Sequence, residues 1–157
     1  MALIDLMRVT SIFGARLPLA FSGALVSRAT PQSISTGATT SVEWEDEEYD
    51  IGGWFASSGD AVFTVPAGVS RVRLSAGISW SSAAGVVRVA FFEKNGVSAP
   101  GLARDLKPAF ATTHFLVSAV LEVVPGDTLR ARVFHDAGVS IDITAVDTTY
   151  FGVEAVR

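Results

Sequence analysis

The sequence predicts an all-β chain folded as an antiparallel sandwich of the jelly-roll kind. Three observations predict it. From Val72 to Trp80 the apolar residues Val72, Leu74, Ala76, Ile78 and Trp80 take every second position, with Ser75, Gly77 and Ser79 between them and Arg71 and Arg73 at the start. Period two over this length puts one face of a strand in a core, whereas a helix would scatter the same side chains around its circumference. At least seven such stretches follow one another, joined by short turns. No interior stretch carries a helical period, and strands in series without helices between them make antiparallel layers.

At 157 residues the chain is long enough for one well-filled core. Its composition is 49% hydrophobic and only 18% charged, against about 25% charged in an average soluble domain. The mean hydropathy of +0.41 agrees. A surface this short of charge is expected to be covered in part by other copies, as in an obligate oligomer. The net charge of −4 arises from 12 basic and 16 acidic residues. Because the basic ones are scattered, nucleic-acid binding is not expected. The absence of cysteine excludes disulfides and thiolate metal sites. Stability then rests on packing and assembly.

Residues 1–21, MALIDLMRVTSIFGARLPLAF, are interrupted by Asp5, Arg8 and Arg16, which suits neither a secretory signal nor a membrane-spanning helix. Leu3, Leu6 and Met7, and again Phe13 and Leu17, fall at spacings of three and four. A short amphipathic helix or an extended arm fits. It would pack on its own domain, anchor the domain to a larger assembly, or lie on a membrane surface.

Residues 22–41 are rich in Ser, Thr, Gly and Ala and read as a linker or a first, irregular strand. The domain proper is expected over 42–157. It opens with VEWEDEEYDI, in which Glu43, Glu45, Asp46, Glu47, Glu48 and Asp50 crowd into a few positions. Such a run is a solvated or edge-protecting strand, a calcium site built on carboxylate oxygens, or an acidic surface for a partner; no recognised metal-loop spacing is present. Gly52-Gly53 and Ser57-Ser58-Gly59 bracket the aromatic pair Trp54-Phe55. A turn at Pro66-Ala67-Gly68 then leads into the Val72–Trp80 strand.

Beyond it, Val86–Phe92 reads as a strand ended by Asn95-Gly96, a dipeptide that supplies the left-handed backbone of a tight hairpin. Residues 97–113 show no periodicity and are expected to form the longest loop. From His114 to Val124, Phe115, Val117, Ala119, Leu121 and Val123 alternate in phase, and Pro125-Gly126-Asp127 turns the chain. Strands over Thr128–His135, Val139–Ala145 and Thr149–Val156 complete the set. Several of them carry apolar residues on the second face too: Val86 and Phe92, Leu116 and Val120, and Phe134. A monomeric sandwich leaves that face polar, so subunit contacts are expected there.

Catalytic chemistry finds no foothold. No nucleophile elbow or phosphate loop occurs, and the Ser, Thr and Asp residues sit in turns, where backbone hydrogen bonding accounts for them. His114 and His135 with Asp136 could make a metal site only with a further ligand that the spacing does not supply, so neither metal nor cofactor is expected. Of Trp44, Trp54 and Trp80, the last is in phase with the core, which leaves Trp54 as the candidate sugar-stacking contact.

The order VEWEDEEYDIGGWF, FTVPAGVSRVRLSAGISW, RVAFFEKNG, LEVVPGDTLRARVFHDAG and YFGVEAV, spanning 42–156, resembles the globular C1q/tumour-necrosis-factor-like jelly roll. It is most similar to versions in tailed phages: head-fibre, decoration and tail-tip proteins. The resemblance implies a homotrimer with apolar axial faces. It places Phe63–Val69 before a core strand and Pro125–Asp127 before a strand near the sheet centre. The closing Phe151 and Val153 would pack beside the subunit axis, and Tyr150 and Phe134 are the further expected subunit contacts. Unlike the animal proteins, this sequence has no collagen-like stalk, and the notion of a secreted signal loses ground accordingly.

The implied function is that of a non-enzymatic virion structural protein, assembled in the bacterial cytoplasm and attached to capsid or tail as decoration, fibre or spike. Leu3, Leu6, Met7, Phe13 and Leu17 would make the attachment. The alternative is a carbohydrate- or protein-binding module for the host surface, contacting a glycan through Trp54 or the 97–113 loop.

Overall fold

The computed structural model describes residues 21–81, 87–98, 100–107 and 112–157. The expected anchoring residues Leu3, Leu6, Met7, Phe13 and Leu17, and Val86, lie outside these. The strands are β1 (Gly23–Ser27), β2 (Gln32–Ile34), β3 (Thr40–Ser41), β4 (Asp46–Ile51), β5 (Phe63–Thr64), β6 (Arg71–Ser79), β7 (Arg88–Lys94), β8 (Arg104–Lys107), β9 (Thr113–Val117), β10 (Leu121–Glu122), β11 (Thr128–His135), β12 (Ile141–Ile143) and β13 (Tyr150–Ala155). All the described strand pairings are antiparallel.

The larger sheet runs β10-β6-β13-β1-β4, with β9 beside β10 along the same edge of β6. The smaller runs β3-β11-β7-β8, with β5 beside β3 on β11, and β12 with β2 makes a two-stranded ribbon. Between the two main sheets, Val72, Leu74, Ala76 and Ile78 of β6 are fully buried, as the alternation dictates. They face Phe92 of β7 and Leu129, Ala131 and Val133 of β11 in one core.

The 22–41 stretch is part of the sandwich. Its apolar Ala24 and Val26 are fully buried, and β1 is an interior strand held between β13 and β4. Interior strands satisfy their backbone on both sides, which a short Gly-Ala-Leu-Val run needs. The 97–113 stretch also contains a strand, β8, which pairs with β7 from Arg88↔Lys107 to Phe91↔Arg104. Its alternation is too brief to register as a period.

His114–Val124 is two strands of opposite phase. In β9 the buried residues are His114 and Leu116, while Phe115 and Val117 are 61% and 63% exposed; farther on, Val123 is buried. The register explains the switch. Val117 opposes Ser75 and Leu121 opposes Val72, so four steps on one strand face three on β6. One extra residue makes a bulge and turns each later side chain to the other face. Ser118 stabilises it, its N–H donating to Leu74 O and its Oγ accepting from Leu74 N–H at 2.9 Å each.

At the end of the sandwich nearest β10, two turns are tied together. Asn95 and Gly96 have φ of 53° and 77°, the left-handed pair that a tight hairpin requires. The Asn95 side chain accepts from Thr128 N–H at 2.8 Å and donates to Asp127 Oδ1 at 2.7 Å. Asp127 Oδ2 also accepts from Val124 N–H and pairs with Lys94 at 3.3 Å. The Asn95 amide first, then the Val124 N–H and Lys94, hold the Asp127 carboxyl below the usual carboxylate range.

Replacing Asp127 by Ala strands two donors in a half-buried site and is expected to cost about 1–3 kcal/mol in urea unfolding. Since the folded carboxyl titrates below the unfolded one, its contribution is complete above the ordinary value of about 3.9 and is lost as pH falls through the folded value. The wild type should therefore lose more stability than Asp127→Ala on acidification below about pH 4.

Candidate self-association face

Strand β13 carries opposite chemistry on its two faces. Phe151 is fully buried and Val153 is 2% exposed, both turned into the sandwich. The Phe151 ring meets Trp44 at 5.9 Å, Phe63 at 4.8 Å and Phe92 at 5.7 Å. The expectation that Phe151 and Val153 contact other subunits is therefore corrected. Their apolar side chains fill the core of their own chain, and a strand directs alternate residues to opposite faces. Tyr150, on the outward face, remains half-buried.

On that outward face of the larger sheet apolar and aromatic side chains stand in two neighbouring rows. The register sets Tyr49, Leu25, Gly152, Ser75 and Val117 in one row across five strands. Tyr150, Gly77 and Phe115 form the next. Two glycines make room for close approach on it. A Cβ on Gly77 would collide with Thr148 O and come within 2.8 Å of Tyr150 Cε1, so the Tyr150 ring lies down over the strand. A Cβ on Gly152 would stand 2.9 Å from Ser75 Oγ. Phe21 extends the surface by an edge contact with Tyr49 at 5.8 Å. Charges border it at both ends: Arg73 and Glu154 pair at 3.7 Å, both about half exposed, and Asp46 and Glu48 lie beside Leu25 and Tyr150.

Phe134 is not on this face. It projects from the outward side of the smaller sheet, half-buried, beside Val89. The ligand reading of Trp54 is corrected too. Its side chain is 1% exposed and its indole N–H donates to Ser22 Oγ at 3.1 Å, so no ligand could stack on it. Both the Gly52-Gly53 turn and a carboxylate position it: Asp50 accepts from the N–H groups of Gly53, Trp54 and Phe55, each at 3.0 Å.

Residues 46–51 of the acidic run form β4, an edge strand, and two of the run's carboxylates, Glu45 and Asp50, accept from backbone N–H groups. Glu45 accepts from Ala29 N–H, Thr30 N–H and the Thr30 hydroxyl and pairs with Arg28 at 3.3 Å. The Thr30 hydroxyl bond is the largest influence holding its pKa below the usual range. Asp46, Glu47 and Glu48 face solvent. Among the described residues no three His, Asp or Glu side chains are grouped to hold a metal ion.

The histidines are structural. His135 Nε2 lies 2.8 Å from Ile34 O and its Nδ1 accepts from Ala137 N–H at 3.2 Å, so both ring nitrogens are used. Fully buried His114 meets Asp105 at 3.2 Å, while Asp136 caps Val87 N–H. The trio His114, His135 and Asp136 is thus engaged separately.

Strand order, layers and connections define a C1q/TNF-like jelly roll. Murine APRIL, crystallised at pH 8.5, superposes with a TM-score of 0.63 at 14% identity over 87% of this chain and all of that one. The Eiger TNF of S. frugiperda gives 0.57 at 12%, covering 87% of this chain and 93% of that one. The globular domain of zebrafish complement 1qA gives 0.56 at 13%, covering 87% and 98%. At such identities the likeness is one of fold. No protein-family model matches the sequence, and no curated protein sequence matches it either.

Phe151→Ala is expected to lower the stability of the chain by about 3–5 kcal/mol in denaturant unfolding, the usual cost of emptying a buried aromatic site. A subunit-contact role would instead leave the fold intact and change only the solution mass.

Proposed function

We propose that this chain is a homotrimeric, non-enzymatic jelly-roll module that associates through the outward face of its larger sheet. The observation that carries this is the pair of adjacent rows on that face, Leu25 and Val117 in one and Tyr150 and Phe115 in the next, with Gly152 and Gly77 between them. Phe115 and Val117 lie side by side on β9 with more than half their surface in water. An exposed contiguous patch of this kind marks an interaction site. The low charged fraction and the resemblance in motif order to C1q/TNF-like trimers support the same reading.

In its finer form the proposal makes the trimer a virion structural protein of a phage or phage-like particle. It would sit on capsid or tail as decoration, fibre or spike, tethered by residues 1–21. The support is the similarity of the motif order to phage versions of the domain and the apolar spacing of Leu3, Leu6, Met7, Phe13 and Leu17. The host-glycan alternative loses its Trp54 contact and rests on the 97–113 stretch alone.

Light scattering on the purified chain should give three times the 16.5 kDa subunit mass. Phe115→Asp with Val117→Asp should give a folded chain of monomer mass, because both positions are exposed within one chain but would bury charge in an interface. A monomeric wild type sinks the trimer. For the tether, a chain lacking residues 1–20 should stay folded yet no longer co-purify with particles; continued attachment sinks that part alone.

A further inference from the structure

We infer that Arg104 of one copy pairs with the acidic groove beside β4 of the next copy, so that charge sets the direction in which copies assemble. This rests on the self-association reading and adds the polar contact that orients it.

The outward face of the smaller sheet concentrates positive charge in a chain that is negative as a whole. Across β8, β7 and β11 the register places Arg104, Phe91 and Arg132 in one row, with Glu93 and Arg130 in the row beside it. Arg130 Nε and Arg132 Nη1 both donate to the same Glu93 oxygen, at 2.9 and 3.1 Å. Two arginines therefore share one carboxylate, and Arg104 adds a third positive charge to the same face. Arg104 is the exposed member, and its guanidinium lies over the Phe91 ring at 5.6 Å, at the open edge of the sheet.

The complementary surface is on the opposite side of the same molecule. A groove of about 550 Å³ is lined by Leu25, Tyr150, Asp46, Glu48 and Asp147, and by Arg28, whose charge is met by Glu45 at 3.3 Å. Glu48 takes a hydrogen bond from Ser27 Oγ, while Asp46 and Asp147 are exposed. Strand β4 ends the larger sheet on one side, and β8, packed beside β9, ends the smaller sheet on the other. The two charges cannot reach one another within a chain. Between copies they can, and a contact that joins one edge to the opposite edge is heterologous, the kind that closes a ring when the rotation allows.

The groove is lined in part by Leu25 and Tyr150 of the apolar face, so the salt contact and the apolar contact are continuous. An arginine suits such a site, since its guanidinium sits against aromatic and aliphatic surface while pairing with carboxylates. Opposed charge patches of this kind set register and orientation more than bulk affinity.

The test is sedimentation velocity over a range of concentrations at about 0.05 M and about 1 M salt, where screening lengths differ several-fold. Arg104→Glu should weaken association at least about tenfold at low salt with an unchanged melting temperature, and the deficit should shrink at high salt. The chain carrying Arg104→Glu together with Asp46→Lys and Asp147→Lys restores opposite charges in reversed order and should recover association. If Arg104→Glu associates as the wild type does, or the combined variant is no better than the single one, the inference is overturned while the trimer stands. A wild type that is monomeric throughout overturns the self-association reading and this contact with it.

Discussion

The packing of Phe151 is the contact on which the two sheets depend. It stands on β13 at the middle of the larger sheet and touches Phe92 and Phe63 from the smaller one and Trp44 from the segment between β3 and β4. Phe55 stacks on Phe63 at 5.2 Å and extends the cluster toward the Trp54 turn. Such ring pairs add about 0.5–1.5 kcal/mol each beyond the area they bury. In a chain without cysteine this cluster takes the place a disulfide would hold between layers.

Because the interior face of β13 is filled by its own chain, only the outward face is free for the proposed contact between copies. The same strand places Phe151 and Val153 inside and Tyr150, Gly152 and Glu154 outside. Gly77 and Gly152 matter here for their missing side chains. With them, the Tyr150 ring and Thr148 O approach Gly77 closely and Ser75 Oγ approaches Gly152; a Cβ at either would force these groups outward. The core and the proposed assembly face are thus two sides of one strand set.

Polar chemistry in the molecule serves mainly to close the chain's own backbone. Asp50, Glu45, Asp127 and Asp136 each accept from main-chain N–H groups that no strand partner reaches. A fully buried Arg88 lies over the Trp80 ring at 5.9 Å, with desolvation alone pushing its pKa below the usual arginine value. These interactions account for most of the ionisable side chains that a sequence reading would examine for catalysis. Among the charged side chains that face water are Arg104 on one edge and Asp46, Glu47 and Glu48 of β4 on the other.

The sequence by itself determined the layers. Val72 to Trp80, Thr128 to His135 and the closing strand are legible because period two survives wherever one face is continuously buried. Asn95-Gly96 and Pro125-Gly126-Asp127 are legible because their backbone conformations admit few other residues. Which face of a strand turns inward was decided only by tertiary structure. Phe115 and Val117 alternate as well as any core pair, yet a single bulge at Ser118 turns them outward. Phe151 and Val153 carry the apolar pattern of an interface, yet lie in the core. Trp54 sits between glycines like an exposed ring, yet a single carboxylate folds the turn over it. Alternation records that two faces differ; which of them meets its own chain and which is left for another depends on register and layer order, set by residues far apart in sequence.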